Sequence, residues 1–221
     1  MTTREVPTVK LSRPGALKAF LRHEQIGELD AQLSNFGYDA SRIFFKCISN
    51  DAHDAYRQVF DKERIILRNG GDGPLIREFH QLSKMHTGNP ENTAMPVALT
   101  MMDSKCVGYF SEYVKGVTID KTFDHSDRHI RLLEGAFEAV SVLHRKGIGH
   151  GDINQRNIIV GVGDGIKLVD PLVPYEGCSD EELIADDRID LAGILSGIRY
   201  LKRKSCRIVG EKIAVPMPAI K

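Results

Sequence analysis

Apolar residues recur along the chain at two spacings, and the change from one to the other marks out its predicted elements. Leu75, Phe79, Leu82 and Met85 stand three or four positions apart behind the breaker cluster Gly70-Gly71-Asp72-Gly73-Pro74. This predicts a helix with Pro74 in its first turn and one apolar face. Ile130, Leu133, Phe137 and Val140 repeat that spacing between residues 126 and 146, Leu143 and His144 extend the stripe, and Gly147 ends the helix. Runs at 42–48, 56–60 and 64–68 are instead short and rich in β-branched and aromatic residues, and predict three strands in a meander. Another strand starts at Val107, passes into an extended link and reaches a turn at Gly116. Residues 158–169 read as two apolar strands joined by Gly163-Asp164-Gly165, a tight hairpin. Near the start, Leu17, Phe20 and Leu21 predict a helix in a polar stretch that also holds Pro7 and Pro14. Past the acidic run 179–188, Ile189-Asp190-Leu191 opens a last helix.

Composition narrows the partners. The 221 residues carry 30 basic and 30 acidic side chains, so no net field draws the chain to nucleic acid or to a lipid surface. No apolar run approaches the roughly 18 residues of a membrane span, and Met1-Thr2-Thr3-Arg4-Glu5 lacks the apolar region of a signal peptide. The expectation is a cytoplasmic protein with no membrane and no nucleic-acid partner. Cys47, Cys106, Cys178 and Cys206 are far apart with no C-x-x-C pair, which predicts free thiols, and the eight histidines form no zinc pattern.

The chemistry concentrates in His150-Gly151-Asp152-Ile153-Asn154-Gln155-Arg156-Asn157. Asn157 precedes the hairpin and Asp170 follows it, so the returning chain brings an amide and a carboxylate together, with Asp152 five residues upstream of the amide. Mg²⁺ favours a few hard oxygen ligands and completes its shell with phosphates and water. Gly161-Val162-Gly163-Asp164-Gly165 lacks the Gly-Lys-Ser/Thr ending of a phosphate loop and is assigned to the turn.

This order and separation resemble the protein-kinase-like superfamily. The resemblance covers about residues 42–200, with its specific part in the catalytic loop and hairpin. It implies an α+β, two-lobed protein-kinase-like fold: an N-terminal extension (1–40), a small, mainly antiparallel β N-lobe (41–115) and a reduced helical C-lobe (116–221). ATP and Mg²⁺ are the implied cofactors. Asp152 would accept or orient the proton of the attacking hydroxyl, and Asn157 and Asp170 would hold the metal. Glu78 would pair with a basic residue on a strand; Arg68, ten residues before it, is favoured over Lys46, thirty-two residues before it. The link 49–55 stands where a glycine loop covers the phosphates, yet it contains no glycine.

Backbone groups of Glu112 to Val114 would face the adenine edge, with Ser111 behind the base. Asp190 would receive hydrogen bonds from the catalytic loop, His150 would brace that loop, and His144 is a packed core residue. Asp170-Pro171-Leu172 replaces the usual Asp-Phe-Gly, and only twenty residues separate Asp170 from Asp190, too few for a phosphorylation-gated activation segment. The implied function is that of a minimal serine/threonine protein kinase similar to compact bacterial effector kinases, acting on a protein hydroxyl in the cytoplasm or, for an effector, in a host cytoplasm. The alternatives are an aminoglycoside-phosphotransferase-like kinase of a small-molecule alcohol and a nucleotide-binding pseudokinase.

Overall fold

Tyr109 and Lys46 stand opposite each other on paired strands, and that register decides what the first sheet presents to its helix. The computed structural model describes residues 7–11, 32–35, 37–39, 42–47, 65–67, 72–102, 104–122 and 127–209. The fold is α+β. Its first sheet joins β1 (Thr8–Leu11), β2 (Ile43–Cys47), β3 (Ile65–Leu67), β4 (Pro96–Met102) and β5 (Lys105–Glu112) in the order β1-β4-β5-β2-β3. The β4/β5 and β5/β2 pairs are antiparallel, while β1/β4 and β2/β3 are parallel. β5 is the middle strand, and every residue from Cys106 to Ser111 is buried, as expected of a strand covered on both faces. A Cβ on Gly108 would meet Lys46 O at 2.4 Å and the Phe45 ring at 2.8 Å, so glycine lets β5 close on β2 beside Lys46.

Directly opposed residues of an antiparallel pair share a face. Lys46 therefore points the way of Tyr109, whose ring meets Phe79 edge-on at a centroid distance of 5.9 Å. Phe79 belongs to α1 (Asp72–Gly88). Leu75, Phe79 and Leu82 of α1 pack with Ala94, Leu99, Cys106 and Tyr109 in one core. Met85, one turn further on, enters a second core with α2 (Asp127–Arg145) and the second sheet. Both layers are thereby attached to a single helix.

The second sheet is antiparallel, in the order β6 (Gly116–Thr118), β7 (Ile158–Gly161), β8 (Ile166–Leu168). Leu132, Leu133, Ala136, Val140 and Leu143 of α2 cover it, against Ile158, Val160, Ile166 and Leu168. The last helix is α3 (Asp180–Val209). Residues 89–95 are stitched to β8: Ala94 N donates to Leu168 O (3.1 Å), Leu168 N to Asn92 O (2.7 Å), and Lys167 Nζ to Thr93 O (3.0 Å). Among the described residues no helix is long and apolar enough to cross a membrane.

Several expectations need correction. β2 and β3 are adjacent and parallel, whereas a meander would leave its first and third strands apart; the intervening 56–60 lies outside the described residues. Gly116 begins β6 instead of a turn, because its N–H and C=O side joins Gly161 in the second sheet and a Cβ there would strike Val160 O. α3 starts at Asp180, ten residues before Asp190, so the acidic run is the first part of the helix. Ser179 and Glu182 explain that start as a capping box: Glu182 N donates to Ser179 Oγ (3.3 Å) and Ser179 N to Glu182 Oε2 (2.8 Å). Carboxylates in a first turn are also favoured by the helix dipole. The expected helix over 17–21 and the link 49–55 lie outside the described residues.

Candidate active site

α2 delivers the chain to the loop at 148–157 through a defined helix ending. Gly147, at φ +69°, donates to His144 O (3.0 Å), and Ile148 N donates to Leu143 O (3.1 Å), the two bonds of a Schellman ending. Gly151 follows at φ +82°, where a Cβ would lie 2.1 Å from Leu172 O. Only glycine lets the loop pass this close to the segment after Asp170.

His150 is fully buried and supports that crossing. Its Nε2–H donates to Val169 O (2.9 Å), its Nδ1 accepts from Asp152 N (3.3 Å), and its carbonyl accepts from Leu172 N (3.0 Å). The ring must therefore be neutral. Burial lowers its pKa below the ordinary imidazole value, against the opposing pull of Asp187 and the Val169 carbonyl. Beneath the loop, the wholly buried Asp187 accepts from His150 N (2.7 Å), Gly151 N (2.7 Å) and His144 Nε2 (2.9 Å).

The Asp152 carboxylate is held at both oxygens. Asn154 Nδ2 donates to Oδ1 (2.9 Å) and Asn157 Nδ2 to Oδ2 (2.8 Å). Each oxygen keeps a further lone pair with which to meet a hydroxyl. Asn154 is itself fixed, since its Oδ1 accepts from Arg156 N (2.9 Å) and Asn157 N (3.3 Å) in an Asx turn. The β7–β8 hairpin then returns the chain, so that Val169 N bonds to Asn157 O (3.0 Å) and Asn157 Nδ2 lies 3.5 Å from Asp170 O.

Asp170 has φ +55°, a left-handed conformation that costs a non-glycine residue about 1 kcal/mol or more. Bonds at Val169 and Leu172 on either side impose it. Its Oδ1 lies 3.2 Å from Lys46 Nζ, which also lies 3.0 Å from Glu78 Oε2. Lys46 and Glu78 are almost wholly buried, with side chains 8% and 1% exposed.

Asp152, Asn157, Asp170, Lys46 and Glu78 thus come from four segments into one continuous contact set. Lys46, ranked second in sequence, is the partner of Glu78; Arg68 lies outside the described residues. The long insertion before α1 misled the count, because register with Tyr109, and not distance along the chain, aims a strand residue at α1. The link set also narrows. Glu112 N is taken by Met95 O (2.7 Å) and Tyr113 N by Arg42 O (2.8 Å), while the Glu112 carboxylate meets Met95 N (3.2 Å) and Lys167 Nζ (3.5 Å). Among the described residues the Val114 N–H has no partner.

Asp187, and not Asp190, takes the hydrogen bonds of His150 and Gly151. Asp190 meets the same loop further on, at the Ile153 backbone. Burial and the nearby Asp152 and Asp187 carboxylates raise its pKa, against a hydrogen bond from the Ile153 backbone. With α3 beginning at Asp180, Asp187 stands two turns into the helix and close under the loop. Asn154 and Asp187 were missed by sequence reasoning. An Asn two residues after an Asp in a turn is a legible signal for the first; nothing local marks the second.

Asn157 and Asp170 fit a hard cation. Asn157 Nδ2 is committed to Asp152, so its Oδ1 carries no protein donor among the described residues, and neither does Asp170 Oδ2. Two such oxygens suit Mg²⁺, whose remaining ligands would be phosphate and water. Among the described residues no three His, Cys, Asp or Glu side chains group into a metal cluster.

The neutral His150 has a consequence for acid stability. Below about pH 6.5 the unfolded chain binds a proton that the folded chain does not. The stabilisation is complete above that pH and is lost as pH falls toward the depressed folded value. The urea midpoint should therefore drop between about pH 7 and pH 5, and His150→Gln should flatten the drop. Equal slopes in the two proteins would remove the role assigned to the ring.

No protein-family model matches the chain, and no curated protein matches it in sequence.

Proposed function

We propose that the protein is an ATP-dependent phosphotransferase, a minimal serine/threonine protein kinase. The observation that carries this reading is the double engagement of Lys46, 3.0 Å from Glu78 and 3.2 Å from Asp170, beside an Asp152 carboxylate held by Asn157. In this reading the first sheet with α1 is the N-lobe (41–115), the second sheet with α2 and α3 is the reduced C-lobe (116–221), and residues 113–115 connect them.

Phosphoryl transfer asks a protein chiefly for position and charge compensation. Lys46, steadied by Glu78, would bind nucleotide phosphates. Asn157 and Asp170 would hold Mg²⁺, which screens the phosphate charge when bound. Asp152, anchored at both oxygens by Asn154 and Asn157, would orient the acceptor hydroxyl and take its proton. The Val114 N–H would bind the adenine edge.

A protein acceptor is favoured by what lies around Asp152. The base is half-buried, and the segment beside His150 continues into an exposed turn at 174–177, which leaves room for a side chain presented by another protein. The test is incubation with γ-labelled ATP and Mg²⁺, alone, with lysate proteins, and with small polar alcohols. Label in protein serine or threonine supports the reading. Label in the alcohols would instead identify a small-molecule kinase, and nucleotide binding with no transfer to any acceptor would identify a pseudokinase.

A further inference from the structure

The apolar face of α1 anchors it to both cores, while a polar stripe on the same helix reaches two separate places. Glu78, Gln81 and Lys84 follow at intervals of three residues, so consecutive members stand about 60° apart around the helix axis. Glu78 meets Lys46 (3.0 Å). The next two meet a single carboxylate at the start of α3: Gln81 Nε2 donates to Asp180 Oδ1 (2.8 Å), and Lys84 Nζ lies 3.0 Å from Asp180 Oδ2. Asp180 Oδ1 also accepts Gly149 N (3.2 Å) from the catalytic loop, and the buried Gln81 amide donates to Gly149 O as well. Asp180 is itself immobilised, since the Ser179–Glu182 capping box encloses it. Burial opposes its charge, yet the bonds from Gln81, Lys84 and Gly149 outweigh this and keep the carboxyl below its ordinary pKa.

We propose that Asp180 is a positioning residue: a clasp between α1, the catalytic loop and α3 that fixes the rotation of α1 and so holds Glu78 against Lys46 without covalent modification. The role in transfer rests on the function proposed above; the mechanical link does not. If α1 rolled away, the Gln81 and Lys84 contacts would break together, because both end on one immobile group. The same contacts couple α1 to Gly149, three residues before Asp152.

The experiment reads Lys46 directly. The nucleotide-free protein is treated with an amine-acetylating ester, and modification at Lys46 is followed by mass spectrometry in wild type, Asp180→Ala, Asp180→Asn and Val140→Ala. Asp180→Ala should acetylate Lys46 about fivefold faster or more, as expected for a locally opened contact. Asp180→Asn keeps a carbonyl acceptor for Gln81 and Gly149 but gives up the Lys84 ion pair, so its Lys46 labelling should fall between wild type and Asp180→Ala. Val140→Ala loosens the α2 core and should raise lysine labelling without preference for Lys46. In a Glu78→Gln background Asp180→Ala should add nothing, since both act on one contact. Equal Lys46 labelling in wild type and Asp180→Ala, or additive effects with Glu78→Gln, would overturn the clasp. Transfer measured in parallel should show a lower kcat/KM for Asp180→Ala and partial recovery in Asp180→Asn; an unchanged kcat/KM despite faster labelling would overturn the positioning role. Faster labelling in a protein whose wild type transfers no phosphate would uphold the mechanical link and refute the proposed function.

Discussion

Asp152→Asn is expected to lower phosphoryl transfer by about 10²–10⁴-fold, the range for loss of a positioned general base. Affinity for MgATP should stay within about twofold, because the variant leaves Lys46 and the oxygens proposed to hold Mg²⁺ in place. The isosteric amide would keep the carbonyl acceptor but could take no proton. It would also turn an N–H toward Asn154 Nδ2 or Asn157 Nδ2, the donors that hold the carboxylate at 2.9 and 2.8 Å. Asp170→Ala makes the contrast: it removes a partner of Lys46 and an oxygen proposed to hold Mg²⁺, so nucleotide affinity and transfer should fall together. Initial rates with labelled ATP, beside titration with a fluorescent nucleotide, separate the two patterns. Full activity in both variants would end the assignment.

The second large effect concerns stability as well as activity. Lys46→Ala would leave the Glu78 carboxylate, 1% exposed, without the cation that faces it. Breaking a buried pair from one side costs about 3–5 kcal/mol, whereas replacing both members with apolar groups of similar size is often neutral. Lys46→Ala should therefore unfold at a much lower urea concentration, and Lys46→Met/Glu78→Leu should regain most of the loss. Neither should transfer phosphate. Arg68→Ala should retain transfer, since Lys46 is the residue in contact with both Glu78 and Asp170. A stable, active Lys46→Ala protein would contradict the role of the pair, and an inactive Arg68→Ala protein would return the phosphate contact to the third strand.

What could be read from the sequence was local and periodic. Leu75, Phe79, Leu82 and Met85 are all buried as their spacing predicts, and the 158–169 hairpin pairs Ile158 with Leu168 and Val160 with Ile166. The α2 stripe was off by less than a turn: Leu132, Ala136 and Ala139 join the buried face, while Phe137 packs at its edge. Small alanines carry little weight in an apolar count, though they permit the closest approach to a sheet. The hairpin also brought Asp152, Asn157 and Asp170 together, because that part of the site is built by neighbours in sequence.

The rest depended on contacts across long separations. β1 and β4 pair through residues about ninety positions apart, and Thr8-Val9-Lys10-Leu11 alternates polar and apolar over only four residues, a run too short to stand out in the polar stretch around it. The choice between Lys46 and Arg68 turned on strand register, which no local pattern displays. Asp187 is one of several acidic residues in a run whose helix was expected to open only at 189–191, and only its place beneath His150 distinguishes it. Ser179-Asp180-Glu181-Glu182 did contain the sign of a helix beginning, a serine three residues before a glutamate, and that sign locates α3 correctly.

The close passage at Gly151 has a bearing on control. Protein kinases switched by phosphorylation order their activation loops through new arginine–phosphate pairs, and the common catalytic-loop tripeptide places arginine where this chain has glycine. Any side chain at 151 would collide with Leu172 O, and the backbone there is left-handed, so the position is barred to arginine by the same packing that seats the loop. A phosphate added between residues 171 and 179 would have to meet a guanidinium from elsewhere, and Arg77 of α1 already reaches this segment, its Nε donating to Val173 O (3.3 Å). Grafting an arginine at 151 should therefore damage the loop rather than create a switch there.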